Sequence, residues 1–124
     1  MIRDNGNILD PSKCCNPPKK ARSYVFAADT AYTPKVVEAA KGATLLYHEA
    51  TFMKEEQEIA KKTMHSTASD AGRVALESGV ENLIIGHFSN RYRDLSGLHL
   101  EAVEIFKKTV LAVEGKTIFL DRIT

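Results

Sequence analysis

The stretch Ala43-Thr44-Leu45-Leu46-Tyr47-His48-Glu49-Ala50-Thr51 decides how the rest of the chain is read. Its first five residues form a short, mostly apolar run, the pattern of a buried strand. That run passes directly into an imidazole and a carboxylate. The arrangement occurs twice more. Ser23 to Ala28, with Tyr24, Val25 and Phe26, reads as a buried strand ending at Asp29-Thr30. Asn82 to Ile85 reads as a third strand, which delivers Gly86-His87-Phe88-Ser89. Three apolar strands thus each end in polar, potentially reactive residues.

Helical segments separate the strands. Thr33 has the character of an N-cap, with Pro34 at the first helical position, Val36, Val37 and Ala40 on one face and Gly42 just past the end. Lys54 to Met64 is a polar run of good helix formers. Thr67 and Asp70 have the capping-box spacing, and Gly79 closes the helix they begin. Ser96 caps a helix whose apolar face is Leu98, Ala102, Ile105 and Phe106. Val110 to Val113 and Lys116 to Leu120 read as a closing hairpin around Glu114-Gly115. Strands alternating with helices predict an α/β layer architecture. Residues 1–22 are different: Gly6 between two asparagines, Pro11, Pro17, Pro18 and the cations Lys19, Lys20 and Arg22 predict an irregular segment with at most one short strand.

Composition bounds the classes. The 124 residues amount to one domain, and 44% hydrophobic with 27% charged residues is the balance of a globular protein rather than a disordered or fibrous one. Seventeen Lys and Arg against 16 Asp and Glu leave a net charge of +1, so no global field favours a nucleic-acid or membrane partner. No apolar run nears the roughly 18 residues of a membrane helix, and Met1 to Asp10 lack the pattern of a secretory signal. The two cysteines, Cys14 and Cys15, are adjacent and suit neither an ordinary disulfide nor a structural zinc site. The expectation is a reduced, cytoplasmic protein.

Groups that do chemistry in α/β proteins gather at the carboxyl ends of strands, where loops converge. Asp29, His48, Glu49 and His87 occupy such ends, and His65, between a helix and Ser66-Thr67, is a further candidate. Two uses are open. Carboxylate and imidazole ligands suit zinc or a similar divalent ion; alternatively, Glu49 and His65 handle protons next to a phosphate. The spacings, 17 residues from His48 to His65 and 22 from His65 to His87, match no compact ligand motif. A phosphoacceptor role for Asp29 in a receiver-like domain lacks the acidic pair that would hold magnesium.

Four strings together carry more than their members: Ala28-Asp29-Thr30-Ala31-Tyr32, Tyr47-His48-Glu49-Ala50-Thr51-Phe52, His65-Ser66-Thr67 and Gly86-His87-Phe88-Ser89-Asn90-Arg91-Tyr92. In order and approximate spacing they resemble the C-terminal portion of the ribonuclease Z family, tRNA 3′-processing endonucleases of the metallo-β-lactamase superfamily. The resemblance implies an α/β fold that is the C-terminal half of a metallo-β-lactamase-type αββα sandwich, with residues 23–124 as that portion. It implies that Asp29 bridges two zinc ions and His87 is a ligand of one. It implies that His65 meets the scissile phosphate or leaving oxygen, with Glu49 its carboxylate partner, His48 a support, and Arg91 near the 3′ end of a precursor tRNA. Asn90 and Ala28 depart from the residues usual in the family.

The larger departure is an absence from these 124 residues. The superfamily motif His-x-His-x-Asp-His is missing, and no two histidines lie closer than 12 residues. Asp29 and His87 alone cannot complete the ligand shells of two zinc ions, so the expectation is a chain with little or no nuclease activity by itself. One apolar sheet face should also lack its cover, which predicts either a homodimer burying that face or dependence on the missing N-terminal half. The rival is a non-catalytic, self-associating α/β fragment that binds no metal. Other features have plainer expectations. Lys61-Lys62 and Lys107-Lys108 belong to solvated helix faces, as do Lys19, Lys20 and Arg22 to a solvated loop. Phe26, Phe52, Phe88, Phe106 and Phe119 belong to the core, and His99 to an exposed position.

Overall fold

A computed structural model describes residues 2–4, 7–9 and 21–120. Two short strands, β1 (Ile2–Asp4) and β2 (Asn7–Leu9), pair antiparallel, one strand more than the sequence suggests for this segment. The cysteines and Lys19 and Lys20 lie outside the described residues; Arg22 is exposed, as expected.

The main body follows from the alternation. Strand β3 (Tyr24–Ala27) leads to helix α1 (Pro34–Ala40), and β4 (Leu45–Glu49) follows. A 3-10 turn (Lys54–Glu56) and helix α2 (Gln57–Lys62) precede the longer α3 (Ala68–Ser78). Strand β5 (Asn82–Gly86), helix α4 (Ser96–Ile105) and strand β6 (Thr109–Leu111) complete the described elements. The sheet is wholly parallel, in the order β3-β4-β5-β6.

The capping chemistry is as the sequence predicts at two helices. Thr33 accepts from the Lys35 amide ahead of Pro34, and Thr67 and Asp70 form a reciprocal capping box at α3, which ends on left-handed Gly79. At α4 the expected cap does not form, since Leu95 stands at the N-cap and offers no side-chain bond. Ser96 is already helical, and its amide donates to Asp94 Oδ1 at 2.9 Å.

A parallel sheet whose strand order follows chain order, joined by right-handed crossovers, places its helices on one face. That face holds the core. Ala27, Leu46, Leu83 and Ile85 from the strands pack with Ala40, Ala71, Val74, Ala75, Leu98 and Ala102 from the helices. The fully buried Leu46, Leu83 and Ile85 contribute on the order of 2 kcal/mol each. Gly72 admits close approach of α3 to α4; an added Cβ would sit 3.1 Å from both the Ala102 carbonyl oxygen and Ile105 Cβ.

The other face alternates with the first and carries Tyr24, Phe26, Leu45, Tyr47, Ile84 and Val110, aligned by strand register. Tyr24 and Phe26 are 55% and 62% exposed. The reading of β3 as a buried strand is therefore corrected: it is an edge strand with one aromatic face open, where Phe26 stacks on Tyr47 at 4.6 Å between ring centroids.

Three further expectations are corrected. The closing hairpin does not form: β6 ends at Leu111 and pairs parallel with β5, and residues 116–119 make no strand. Of the five phenylalanines, Phe52 is buried and Phe88 and Phe106 pack half-buried against the core as expected, whereas Phe26 and Phe119 are 62% and 53% exposed. His99 is half-buried rather than exposed, its Nε2 lying 2.8 Å from the Thr109 carbonyl. Lys61, Lys62, Lys107 and Lys108 are exposed as expected. Among the described residues no helix is long and apolar enough to cross a membrane.

Candidate functional site

The segment after β4 is threaded between two others. The Ala50 amide donates to the Gly86 carbonyl at the end of β5, and the Ser89 amide donates back to the Thr51 carbonyl. On its other side the Thr51 amide donates to Ser66, and Phe52 bridges Thr67. These backbone bonds bring the segments carrying His65 and His87 against the segment carrying Glu49, although 38 residues separate Glu49 from His87. Gly86 is needed here: an added Cβ would lie within 2.9 Å of Tyr47 Cζ.

Glu49 is completely buried and accepts four hydrogen bonds. Its Oε1 takes the Thr30 amide at 2.6 Å and His65 Nδ1 at 2.8 Å. Its Oε2 takes the Thr51 hydroxyl at 2.5 Å and the Ser66 amide at 3.1 Å. A carboxylate in the interior requires this degree of satisfaction. The Ser66 hydroxyl, in turn, donates to the Thr30 carbonyl at 2.5 Å, tying the loop after β3 to the loop before α3.

The remaining candidates stand around this anchor. One ligand atom each from Asp29, Glu49, His65 and His87 lie within 4.8 Å of one another. His87 Nε2 is 3.7 Å from Asp29 Oδ1, and His87 Nδ1 is 3.0 Å from the Thr51 hydroxyl. The rings of His65 and His87 are 5.3 Å apart. Asp29 and His87 hold left-handed backbone, at φ 50° and 61°. Neither is glycine, so the two positions carry steric strain of the kind that collects at functional sites.

As a test of metal fit, the donors divide in two. Both Glu49 oxygens are committed to two donors apiece, so it is an anchor rather than a ligand. Asp29 and His87 are open, with side chains 75% and 50% exposed, and together offer a carboxylate and an imidazole nitrogen facing each other. That pair fits a divalent metal of the zinc type.

His48 and Arg91 stand apart from this group. His48 lies on the core side of the sheet, fully buried, with Nδ1 2.8 Å from the Glu49 carbonyl oxygen and Nε2 without a partner. Burial lowers its pKa, against the raising effects of that backbone contact and of the Glu49 charge. Arg91 reaches Glu56 at 3.4 Å and lies over the Phe52 ring, whose edge faces His65. Thr51 is the member that residue-type reasoning passes over; its signal is position, since residues two apart on extended backbone share a side. Two clefts open beside the site: one includes Tyr47, His87, Ser89 and Tyr92, the other Tyr32, Lys61, His65 and Arg73.

No family model matches the chain. Ribonuclease Z of Bacteroides thetaiotaomicron is 44% identical over 124 residues, covering 100% of this chain and 39% of that protein. Ribonuclease Z of Bacteroides fragilis is 43% identical over 119 residues, 96% of this chain and 39% of the relative. Ribonuclease Z of Cytophaga hutchinsonii is 44% identical over 123 residues, 98% and 39%. This chain is homologous to part of ribonuclease Z. It spans about two-fifths of the length of these ribonuclease Z relatives.

Solved structures agree on the architecture. A long-form RNase Z from yeast superposes with a TM-score of 0.70 at 26% identity, over 81% of this chain and 14% of that one. Human tRNase Z, short form, gives 0.53 at 28%, over 68% and 27%. The metallo-β-lactamase fold protein YhfI from Bacillus subtilis gives 0.68 at 24%, over 76% and 38%, a likeness of fold. The parallel sheet and its helices are thus a portion of the metallo-β-lactamase fold seen in ribonuclease Z.

Proposed function

We propose that this chain supplies part of the catalytic centre of a zinc-dependent endoribonuclease that processes the 3′ end of precursor tRNA. The observation that carries the reading is the convergence of Asp29, Glu49, His65 and His87 within 4.8 Å at strand carboxyl ends. Asp29 and His87 hold metal. Zinc, when bound, polarises a phosphoryl oxygen and lowers the pKa of water toward neutrality, supplying the nucleophile for phosphodiester hydrolysis.

The chain's own groups do the rest. Glu49 accepts a hydrogen bond from His65 Nδ1–H and fixes that ring, leaving Nε2 to contact the scissile phosphate or pass a proton to the leaving oxygen. Arg91, which lies over Phe52 and pairs with Glu56, meets a phosphate of the RNA 3′ end once it leaves Glu56. His48 supports Glu49 from the core side through its main-chain carbonyl. The two open donors fall short of two zinc shells, so the remaining ligands, and the cover for the aromatic sheet face, come from the further length that the ribonuclease Z relatives possess. The enzyme works in the cytoplasm, where precursor tRNA is available.

The test is zinc retention by the purified chain after dialysis against excess zinc and then buffer, read by elemental analysis. Retained zinc that disappears in Asp29→Ala and His87→Ala supports the assignment, and cleavage of precursor tRNA is then assayed with the remaining portion of a ribonuclease Z added. No retained zinc in a folded chain, with no cleavage on addition, favours the alternative of a metal-free, self-associating fragment. The exposure of Tyr24 and Phe26 is the observation behind that alternative.

A further inference from the structure

The hydrogen bonds around Glu49 assign every proton between the two site histidines. Glu49 Oε2 can only accept, so the Thr51 hydroxyl, 2.5 Å away, spends its single hydrogen there. Toward His87 Nδ1, 3.0 Å distant, the same hydroxyl oxygen can then only accept. His87 must therefore carry its proton on Nδ1. Its Nε2, the atom facing Asp29 at 3.7 Å, is left as a lone pair. At His65 the same carboxylate acts directly, Oε1 accepting from Nδ1.

We infer that Thr51 is a positioning residue that sets the tautomer of His87, so that one buried carboxylate orients both imidazoles: His65 directly and His87 through the Thr51 hydroxyl. The sequence builds this relay cheaply. Glu49 and Thr51 are two apart on extended backbone and share a side, and the Ser89 amide bound to the Thr51 carbonyl fixes the distance to the His87 loop. Thr51 itself is buried, so water does not compete for its hydroxyl. A ligating histidine whose other nitrogen is held in this way presents its lone pair ready-made; without the hold, the ring must change tautomer and reorient before it can bind. The metal consequence rests on the assignment of Asp29 and His87 as ligands, whereas the tautomer assignment does not.

The experiment uses the whole chain without metal, at about pH 8, above the ordinary imidazole range, with histidine ring nitrogens read by long-range 1H–15N correlation. Wild-type protein should show His65 and His87 both as the Nδ1–H tautomer. Thr51→Val keeps the branched shape and leaves Glu49 Oε2 with the Ser66 amide. It should move His87 toward the Nε2–H form while His65 stays Nδ1–H, and Thr51→Ser should restore His87. Zinc titration should show affinity weakened by about 10- to 100-fold in Thr51→Val and recovered in Thr51→Ser. Wild-type His87 found as Nε2–H overturns the inference. So does a Thr51→Val protein with His87 unchanged, or one in which both rings change together, since that marks a general packing role. Wild-type protein that takes up no zinc removes the ligand assignment, and the tautomer readout still decides the relay.

Discussion

Glu49 shows how one residue can be both a structural anchor and a functional one. Four donors converge on a carboxylate with no access to water, and each would lose that acceptor in Glu49→Ala. Buried donors orphaned in this way cost about 1–3 kcal/mol each, partly relieved where water enters the space. Glu49→Ala should therefore lose about 3–5 kcal/mol of unfolding free energy in urea titration, the scale of breaking a buried charged network. A loss below about 1 kcal/mol would mean that the four bonds are not held together in solution. His48, next to it, sets a pH dependence. Burial lowers its pKa from the ordinary 6.5, so the folded chain holds it neutral while the unfolded chain takes up a proton first. Its contribution is complete above pH 6.5 and is lost as pH falls from there through the lower folded value. Within that window the slope is at most about 1.4 kcal/mol per pH unit. Urea midpoints should fall below about pH 6.5 in the wild type and less steeply in His48→Gln; identical profiles would place the acid sensitivity elsewhere. The sequence displays Glu49, His65, Asp29 and His87 by type and position at element ends. It hides Thr51, because the hydroxyl acquires its role only when His87, 36 residues away, meets it beside Glu49.

The elements were legible wherever their ends carry local chemistry. Thr33-Pro34, Thr67 with Asp70, and Gly79 announce caps that the backbone adopts. Legibility failed where tertiary contacts override local signals. Lys54 to Met64 has the propensity of a single helix, yet it starts as a 3-10 turn and ends at Lys62, because the chain must turn to deliver His65 beside Glu49. Met64 makes that turn at φ 60° with no glycine or asparagine to advertise it, and the His65 amide closes back on the Ala60 carbonyl at 2.8 Å. The closing hairpin failed for a related reason: β6 finds its partner in β5 across the sheet, and Gly115 turns the chain without returning it as a strand. Met64 offers a clean test, since its side chain is 67% exposed. A left-handed L-residue costs about 1–2 kcal/mol, and glycine returns part of that through greater freedom of the unfolded chain. Met64→Gly should raise stability by about 0.5–1 kcal/mol in urea titration, with the His65 tautomer unchanged. A loss of stability would mean that the methionine side chain holds the turn.

At the scale of the whole molecule, strand order determines what is covered. A sheet that runs β3-β4-β5-β6 without reversal receives its helices on one face, and among the described residues the other face leaves Tyr24 and Phe26 open on the edge strand β3. The sequence could show that Tyr24, Phe26 and Tyr47 are apolar but not on which side they point, and so the aromatic residues read as core. Relatives more than twice as long as this chain possess the length needed to cover them, while Leu45 and Ile84 on the same face are buried at 7% exposure. Where that length is not present, the face should behave as an exposed apolar patch on an edge strand, a surface that binds hydrophobic dyes and drives association. The chain by itself should therefore bind an anilinonaphthalene dye and sediment above the monomer mass at micromolar concentration. Tyr24→Ser with Phe26→Ser removes the two most open rings and leaves the Glu49 network untouched. That variant should lose most of the dye signal and sediment closer to the monomer, while its His65 and His87 resonances stay in place. A wild-type chain that sediments as a single monomer without binding dye would mean that this face is already covered within the chain, and that the further length of the relatives serves some purpose other than closing this sheet.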